Sequence, residues 1–272
     1  MTARKTIFIT GGASGIGRAV ALKFGGQGWF VGIADVNESG ARETAAMLPA
    51  GQSSTHKLDV RDREAWDGAL ADCAKASAKT GNGRIDVVFN NAGVALGGPL
   101  VSNTTAEVER CLDINLKGVL FGAQAAYPYL KASAPGSCLL NTASAAGIYG
   151  TPGATVYSAT KFGVRAITES LDAEWAPDEI KVCDLMPAFI DTPLLDQSAS
   201  QASNDGIREN VLAAGLEISP VGDVAEAAWK AVYGDDLHIR VGKTAHRIAF
   251  AARWMPGRLR KMTRTSLKPL GG

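Results

Sequence analysis

The chain has 272 residues, 46% of them hydrophobic and 20% charged, with a formal net charge of +1. That length suits one α/β domain and a core that needs no disulfides. Its four cysteines (Cys73, Cys111, Cys138, Cys183) hold no CxxC pair, which argues against a disulfide or zinc framework and for a reducing, cytoplasmic setting. No hydrophobic leader follows Met1, and no uncharged apolar run is long enough to cross a bilayer. No metal site is expected.

Short β-rich runs alternate with longer amphipathic ones. Strands are predicted at Thr6–Thr10, Phe30–Ala34, Ser54–Leu58, Val87–Asn90, Ser137–Asn141, Lys181–Met186 and Leu237–Val241. Helices are predicted at Ile16–Gly25, Glu38–Met47, Arg63–Lys79, Ala106–Lys131, Val156–Trp175 and Asp223–Tyr233. This order predicts one α/β domain over residues 1–242, a doubly wound Rossmann fold. Its seven-stranded, mainly parallel sheet carries helices on both faces.

The first strand runs into Thr10-Gly11-Gly12-Ala13-Ser14-Gly15-Ile16-Gly17. Glycines between a strand and a helix allow a tight turn and a close backbone approach to a pyrophosphate. The following helix N-terminus offers unpaired N–H groups to it. An ordinary βα turn is the alternative. The second strand ends at Asp35, whose carboxylate can accept from ribose hydroxyls and would repel a 2′-phosphate. Arg18 is the one nearby cation that blurs this reading, and Asp35 can instead cap the next helix. Asp59 and Val60 end the third strand. Asp59 can meet an adenine amino group or cap the helix after it. Asn91, Ala92 and Gly93 end the fourth strand, where small residues let a ligand cross the sheet edge. Asn115 is a polar residue in an apolar helical stretch and needs a reason to be there. A core Asn bonded to backbone is the plain one.

Ser144 ends an apolar strand, Tyr157 follows thirteen residues later, and Lys161 lies four beyond it. Residues four apart share a helix face. An ammonium beside a phenol favours the phenolate, pulling its pKa down from about 10. Such a pair exchanges protons near neutral pH. Alone, a Tyr and a Lys at this spacing are ordinary surface residues.

Taken in order, Thr10–Gly17, Asp59, Asn90–Gly93, Asn115, Ser144, Tyr157 and Lys161 resemble the short-chain dehydrogenase/reductase family, from Thr6 to about Tyr233. The resemblance implies an NAD(P)-dependent oxidoreductase. It implies Tyr157 as acid/base, Ser144 on the substrate oxygen, Lys161 on the tyrosine and the nicotinamide ribose, and Asn115 holding a water in a proton relay. Gly11, Ser14, Gly15, Ile16 and Gly17 would cradle the pyrophosphate, with Asn91 and Ala92 near the adenosine ribose. Asn90 would brace the sheet. Pro187, Ile190 and Thr192 match the carboxamide-binding segment, but Ala188 stands where the family usually has Gly. That turn must use ordinary dihedrals or accept strain.

Asp35 favours NAD(H) over NADP(H). Candidate substrate residues are Ser144, Ala146, Tyr149, Ala154, Tyr157, Phe189 and Leu194. They are mostly apolar, with no Arg or Lys among them, so a neutral hydrophobic alcohol or ketone is expected. The rival enzyme is an NADP(H)-dependent ketone or acyl-carrier ketoacyl reductase; the rival of another class is a non-catalytic NAD-binding scaffold. Residues 193–218 are expected to form a lid. A homodimer or homotetramer is expected through the helices holding Asn115 and Tyr157.

After Asp236 no acidic residue occurs, while nine Lys and Arg follow, from Arg240 to Lys268. Residues 243–272 therefore form a basic amphipathic extension. It can lie on an anionic membrane surface or pack on the body or a neighbouring subunit. No nucleic-acid motif accompanies the charge. His238 and His246 stand alone.

Overall fold

Runs of Ile, Val and Phe alternate sides along the first strands, so a sheet built from them must be covered twice. The computed structural model describes residues 4–81, 83–196, 198–200, 203–213 and 215–265. The strands are β1 (Thr6–Thr10), β2 (Phe30–Asp35), β3 (Ser53–Lys57), β4 (Val87–Asn90), β5 (Ser137–Thr142), β6 (Ile180–Pro187) and a seventh, His238–Val241. From one edge the order is seventh strand, β6, β5, β4, β1, β2, β3. Every neighbouring pair is parallel, so the sheet is parallel throughout and not merely in the main. The chain reverses its winding between β1 and β4, and that switch opens a crevice at the carboxyl edge.

The helices are α1 (Gly15–Gly26), α2 (Glu38–Ala46), α3 (Arg63–Ser77), α4 (Thr105–Leu112), α5 (Gly118–Ser133), α6 (Thr155–Trp175), α7 (Ile207–Ala213), α8 (Val221–Tyr233), α9 (Lys243–Trp254) and α10 (Pro256–Thr265). On one face Ile7, Ile9, Val31 and Ile33 pack against Val20 and Phe24 of α1 and Val224 and Ala228 of α8. On the other, Phe8, Phe30, Val88 and Leu139 pack against Trp66 and Leu70 of α3 and Ala126 and Leu130 of α5. Trp66 is fully buried, and its indole N–H donates to the Val60 carbonyl at 3.1 Å. Burying such a ring contributes about 3 kcal/mol, and the bond removes the penalty of an orphaned donor.

The helix expected over Ala106–Lys131 is interrupted. A π turn, Asp113–Lys117, separates α4 from α5, with the Gly118 N–H bonded to the Asp113 carbonyl. Such single wide turns re-aim side chains and recur at functional sites; this one carries Asn115. The caps differ from those expected. Asn37, not Asp35, caps α2 by accepting from Gly40 N at 3.1 Å. Asp62, not Asp59, caps α3. Ala188 does not adopt positive φ; among the described residues Glu179 is the non-glycine that does. The turn after β6 therefore uses ordinary dihedrals.

The segment after β6 is ordered around its own small core. Leu195, Ile207 and Val211 cluster with Ala95, Phe189, Leu216 and Ile218. Phe189–Ile190 pairs with Ile218–Ser219, and Ser198–Ser200 pairs with Ser203–Gly206. Arg208 bridges Asp191 at 2.7 Å and Asp196 at 2.5 Å. Gln197, Gln201, Ala202 and Ala214 of the expected lid, and residues 266–272 of the basic extension, lie outside the described residues. Among the described residues no helix is long and apolar enough to cross a membrane.

Candidate active site

The crevice holds a cavity of about 440 Å³ that runs from the glycine turn to α6 and α9. Gly11, Ser14, Gly15 and Ile16 line one end with Asp35, Asp59, Val60, Asn91, Ala92 and Gly93. Ser144, Ala146, Ala154, Tyr157, Lys161, Pro187, Phe189, Ile190, Thr192 and Leu194 line the rest. Three expected site residues do not line it. Gly17 lies behind the turn, where a Cβ would overlap the Gly11 carbonyl oxygen. Asn115 is buried beneath the wall. Tyr149 is half-buried outside the cavity.

The glycine turn is shaped for a close backbone approach. Gly11 and Gly15 take φ of +65° and +52°, the left-handed region that glycine enters freely. A Cβ on Gly11 would stand 3.0 Å from Ala92 Cα. Ser14 precedes α1 without a side-chain cap bond, which leaves the helix's first N–H groups open to an anion.

Asp35 accepts from Ala13 N at 3.0 Å and Asn37 N at 2.9 Å, so its carboxylate is fixed at the cavity edge. Arg18 is pinned elsewhere: it donates to Thr44 Oγ1 at 2.9 Å and pairs with Glu43 at 3.2 Å. Asp59 is engaged by Arg61, whose Nη2 lies 2.6 Å from Oδ2. That guanidinium holds the Asp59 carboxyl below its ordinary range. Asn91 braces β4 to β1, donating to Thr10 O at 2.9 Å and accepting from Thr142 Oγ1 at 3.2 Å. Asn90 braces the sheet from within, donating to Asn141 Oδ1 at 3.0 Å.

α6 presents Tyr157 and Lys161 on one face, one turn apart. Gly147 lets the turn after Ser144 rest on α6, since a Cβ there would stand 2.7 Å from the Lys161 carbonyl oxygen. Ser144 Oγ accepts from Ala146 N at 3.1 Å and donates to Pro187 O at 3.3 Å. Lys161 is 3% exposed and donates to Thr142 O at 2.7 Å. Burial pushes the Tyr157 phenol up to about 12, with the neighbouring Ser144 hydroxyl opposing that shift. Burial also pulls Lys161 down to about 8. Burial, and not the lysine, thus sets the direction of the tyrosine's shift, against the lowering expected from the spacing.

Asn115 has the plain explanation. Its Oδ1 accepts from Val94 N at 2.8 Å and its Nδ2 donates to Val94 O at 2.8 Å. Both side-chain ends are thus engaged by the Val94 backbone, and Nδ2 also lies 3.5 Å from Cys111 Sγ and Thr160 Oγ1. It clamps the strand-end loop whose Gly93 approaches Lys161.

A family model described as short chain dehydrogenase matches residues 5–203. The chain belongs to that family. A 3-oxoacyl-(acyl-carrier-protein) reductase of Thermotoga maritima is 34% identical over 201 residues, which is 73% of this chain and 79% of that one. The 3beta-hydroxysteroid dehydrogenase 1 of Eggerthella lenta is 31% identical over 253 residues, 89% of this chain and 94% of that one. The crystal structure of a 3-ketoacyl-(acyl-carrier-protein) reductase from Brucella melitensis, complexed with NADH, has a TM-score of 0.76 at 26% identity, covering 89% of this chain and 98% of that one. As a short-chain dehydrogenase the protein is an NAD(P)-dependent oxidoreductase of alcohols and ketones. The glycine cradle, the open α1 N-terminus and the fixed Asp35 fit that dinucleotide.

Arg110 on α4 lines the cavity of this short-chain dehydrogenase, although no cation was expected near the substrate candidates. Thr244 and Ile248 of the extension line it too, in keeping with the expectation that the extension can pack on the body. A further feature that escaped the sequence lies beneath α6. Asn90, Asn141, Asp184 and His238 stand in register across four strands. His238 bonds Asp184 Oδ2 and Glu169 Oε1 at 3.0 Å each. Asp184 Oδ1 is buried without a partner.

Proposed function

We propose that the protein interconverts a neutral, hydrophobic secondary alcohol and its ketone with NAD(H), using Tyr157 as proton donor and acceptor. The observation that carries the reading is the convergence of Ser144, Tyr157 and Lys161 on the cavity that the glycine turn also lines. Gly11, Ser14, Gly15, Ile16, Asp35, Ala92, Ile190 and Thr192 would hold the dinucleotide, with Gly17 shaping the turn. The bound nicotinamide supplies or accepts the hydride.

In reduction the Tyr157 phenol donates its proton to the oxygen that gains charge at the carbonyl. In oxidation the phenolate takes the proton of the alcohol. Ser144 turns its hydroxyl from Pro187 toward the same oxygen and shares the developing charge. Lys161 holds a positive charge near Tyr157, its ammonium steadied by the Thr142 carbonyl. Asn115 is a positioning residue that fixes the Val94 loop. Residues 193–218 close over the substrate as a lid, through Leu194, Leu195 and Ile207, and 1–242 form the catalytic domain.

NAD(H) is favoured because Asp35 faces the cavity while Arg18 is held by α2. A second reading, an NADP(H)-dependent reductase of acyl-carrier substrates, draws support for its substrate from Arg110 in the cavity wall and from a relative named as an acyl-carrier-protein reductase. Asp35 opposes it. Homodimer or homotetramer contacts on the helices around Asn115 and Tyr157 are supported by exposed Leu112, Leu120 and Phe162. A cytoplasmic location agrees with four unpaired, buried cysteines.

A panel of neutral and anionic alcohols and ketones, followed by the near-ultraviolet absorbance of reduced nicotinamide, tests the substrate class. Turnover of neutral apolar substrates is expected. Turnover confined to anionic or carrier-bound substrates would overturn the reading.

A further inference from the structure

We propose that α9 and α10 dock the protein on an anionic lipid surface. On α9, Ala245, Ile248, Ala249 and Ala252 face the body, while Lys243, Arg247, Phe250, Arg253 and Trp254 face outward. Phe250 and Trp254 are 57% and 67% exposed, and Met255 and Met262 are exposed as well. The Arg253 guanidinium lies 5.5 Å from the Trp254 ring. α10 buries Leu259 and exposes Arg258, Arg260 and Arg264 around it.

Large apolar side chains at this exposure lose stabilisation in water unless something covers them. Tryptophan and arginine together suit the boundary between headgroups and acyl chains. The charges select the occupant. No acidic residue occurs after Asp236. Among the described residues Arg247, Arg253, Arg258, Arg260 and Arg264 form no ion pair with an acidic side chain. A second copy docking through the same patch in a two-fold arrangement would set cation against cation. An anionic bilayer attracts such cations, at about fivefold in affinity for each one that comes near its surface.

The inner face of the same helix reaches the cavity. Thr244 and Ile248 line it, and α9 rests on the 145–147 turn after Ser144. Docking would therefore set the cavity wall against the bilayer, where an apolar alcohol or ketone partitions. This link to the substrate rests on the proposed function; the docking does not.

The test is flotation of the full chain with vesicles of phosphatidylcholine alone and of phosphatidylcholine mixed with phosphatidylserine. Binding to the mixed vesicles is expected, with loss at high salt and little binding to phosphatidylcholine alone. The triple variant Arg247→Glu, Arg258→Glu, Arg260→Glu should reduce binding at least about tenfold, and so should Phe250→Ser with Trp254→Ser. Melting temperature and NADH binding should stay unchanged in both, because these side chains are exposed. Equal, weak recovery with both vesicle types overturns the proposal. So does a size measurement in which the same variants break up an oligomer, since a second copy then covers the face. Capture by an acidic carrier protein without vesicle binding also overturns it. A turnover defect with intact vesicle binding counts against the proposed function alone.

Discussion

Lys161 Nζ lies 5.6 Å from the centroid of the Tyr157 ring while donating to the Thr142 carbonyl at 2.7 Å. The two groups face each other where burial disfavours either charge. The phenol, pushed up to about 12, is a protonated donor at neutral pH. The lysine, pulled down to about 8, is an ammonium only by a small margin. A pair held this way responds strongly to a charge arriving beside it, as a developing alkoxide does.

Holding that ammonium lowers stability. A buried lysine moved from 10.5 to about 8 penalises the folded state by about 3 kcal/mol at pH 7. Below pH 8 both folded and unfolded chains bind the proton, so the penalty is complete. Between about 8 and 10.5 the unfolded chain binds more protons, so wild-type stability rises with pH. Lys161→Met should therefore melt higher than the wild type at pH 7, and the gap should close toward pH 10, as read by thermal melts across that range. A variant that melts lower at pH 7 would show that the bond to Thr142 outweighs the desolvation. Turnover should be lost in either event.

Under the proposed function Asp35 would select NAD(H) by repulsion. A 2′-phosphate brought to a carboxylate that is already fixed by Ala13 N and Asn37 N cannot push it aside. The ratio of kcat/KM for NADH over NADPH should exceed about a hundredfold, near 3 kcal/mol. Asp35→Ser should shrink that ratio at least about tenfold. Because the ratio divides out damage common to both cofactors, loss of the two backbone anchors does not obscure it. Equal use of both by the wild type would reject the assignment.

Beneath the site, Asp184 is completely buried and leans on His238. The bond to that carboxylate raises the imidazole above its ordinary value, and the Glu169 contact adds to it. A raised histidine contributes stability that is full below its unfolded value of 6.5 and is lost as pH rises through the folded value. His238→Gln should cost about 2 kcal/mol at pH 6, discounted for the partly exposed ring. The loss should diminish at higher pH in denaturant melts. A loss that grows with pH would assign the burden to Asp184 alone.

What could be read before the structure follows from distance along the chain. The alternation of strands and helices, the glycine turn, and the one-turn spacing of Tyr157 and Lys161 are local patterns, and they are found where expected apart from the break in the helix over Ala106–Lys131. Asp35 and Asp59 were read as ligand groups or helix caps; the caps went to Asn37 and Asp62, which sit nearer the helix starts. That competition is settled by a residue or two of register, below what periodicity resolves. The row from Asn90 to His238 was hidden because it needs the register of four strands. The π turn at Asn115 was hidden because no residue pattern marks it. The side chain of Asn115 bonds the Val94 backbone, the plain reading of that residue. Tyr149 is equally far from marked by sequence; only the path of the turn after Ser144 takes it out of the cavity.

The most direct measurement is turnover of Tyr157→Phe beside its NADH affinity. Removing one oxygen leaves the ring, α6 and the glycine cradle in place. A fall in kcat of at least about a thousandfold is expected, with the dissociation constant for NADH, read by nucleotide fluorescence, unchanged within about twofold. Turnover near the wild-type rate would contradict the acid/base role of Tyr157 and the mechanism built on it.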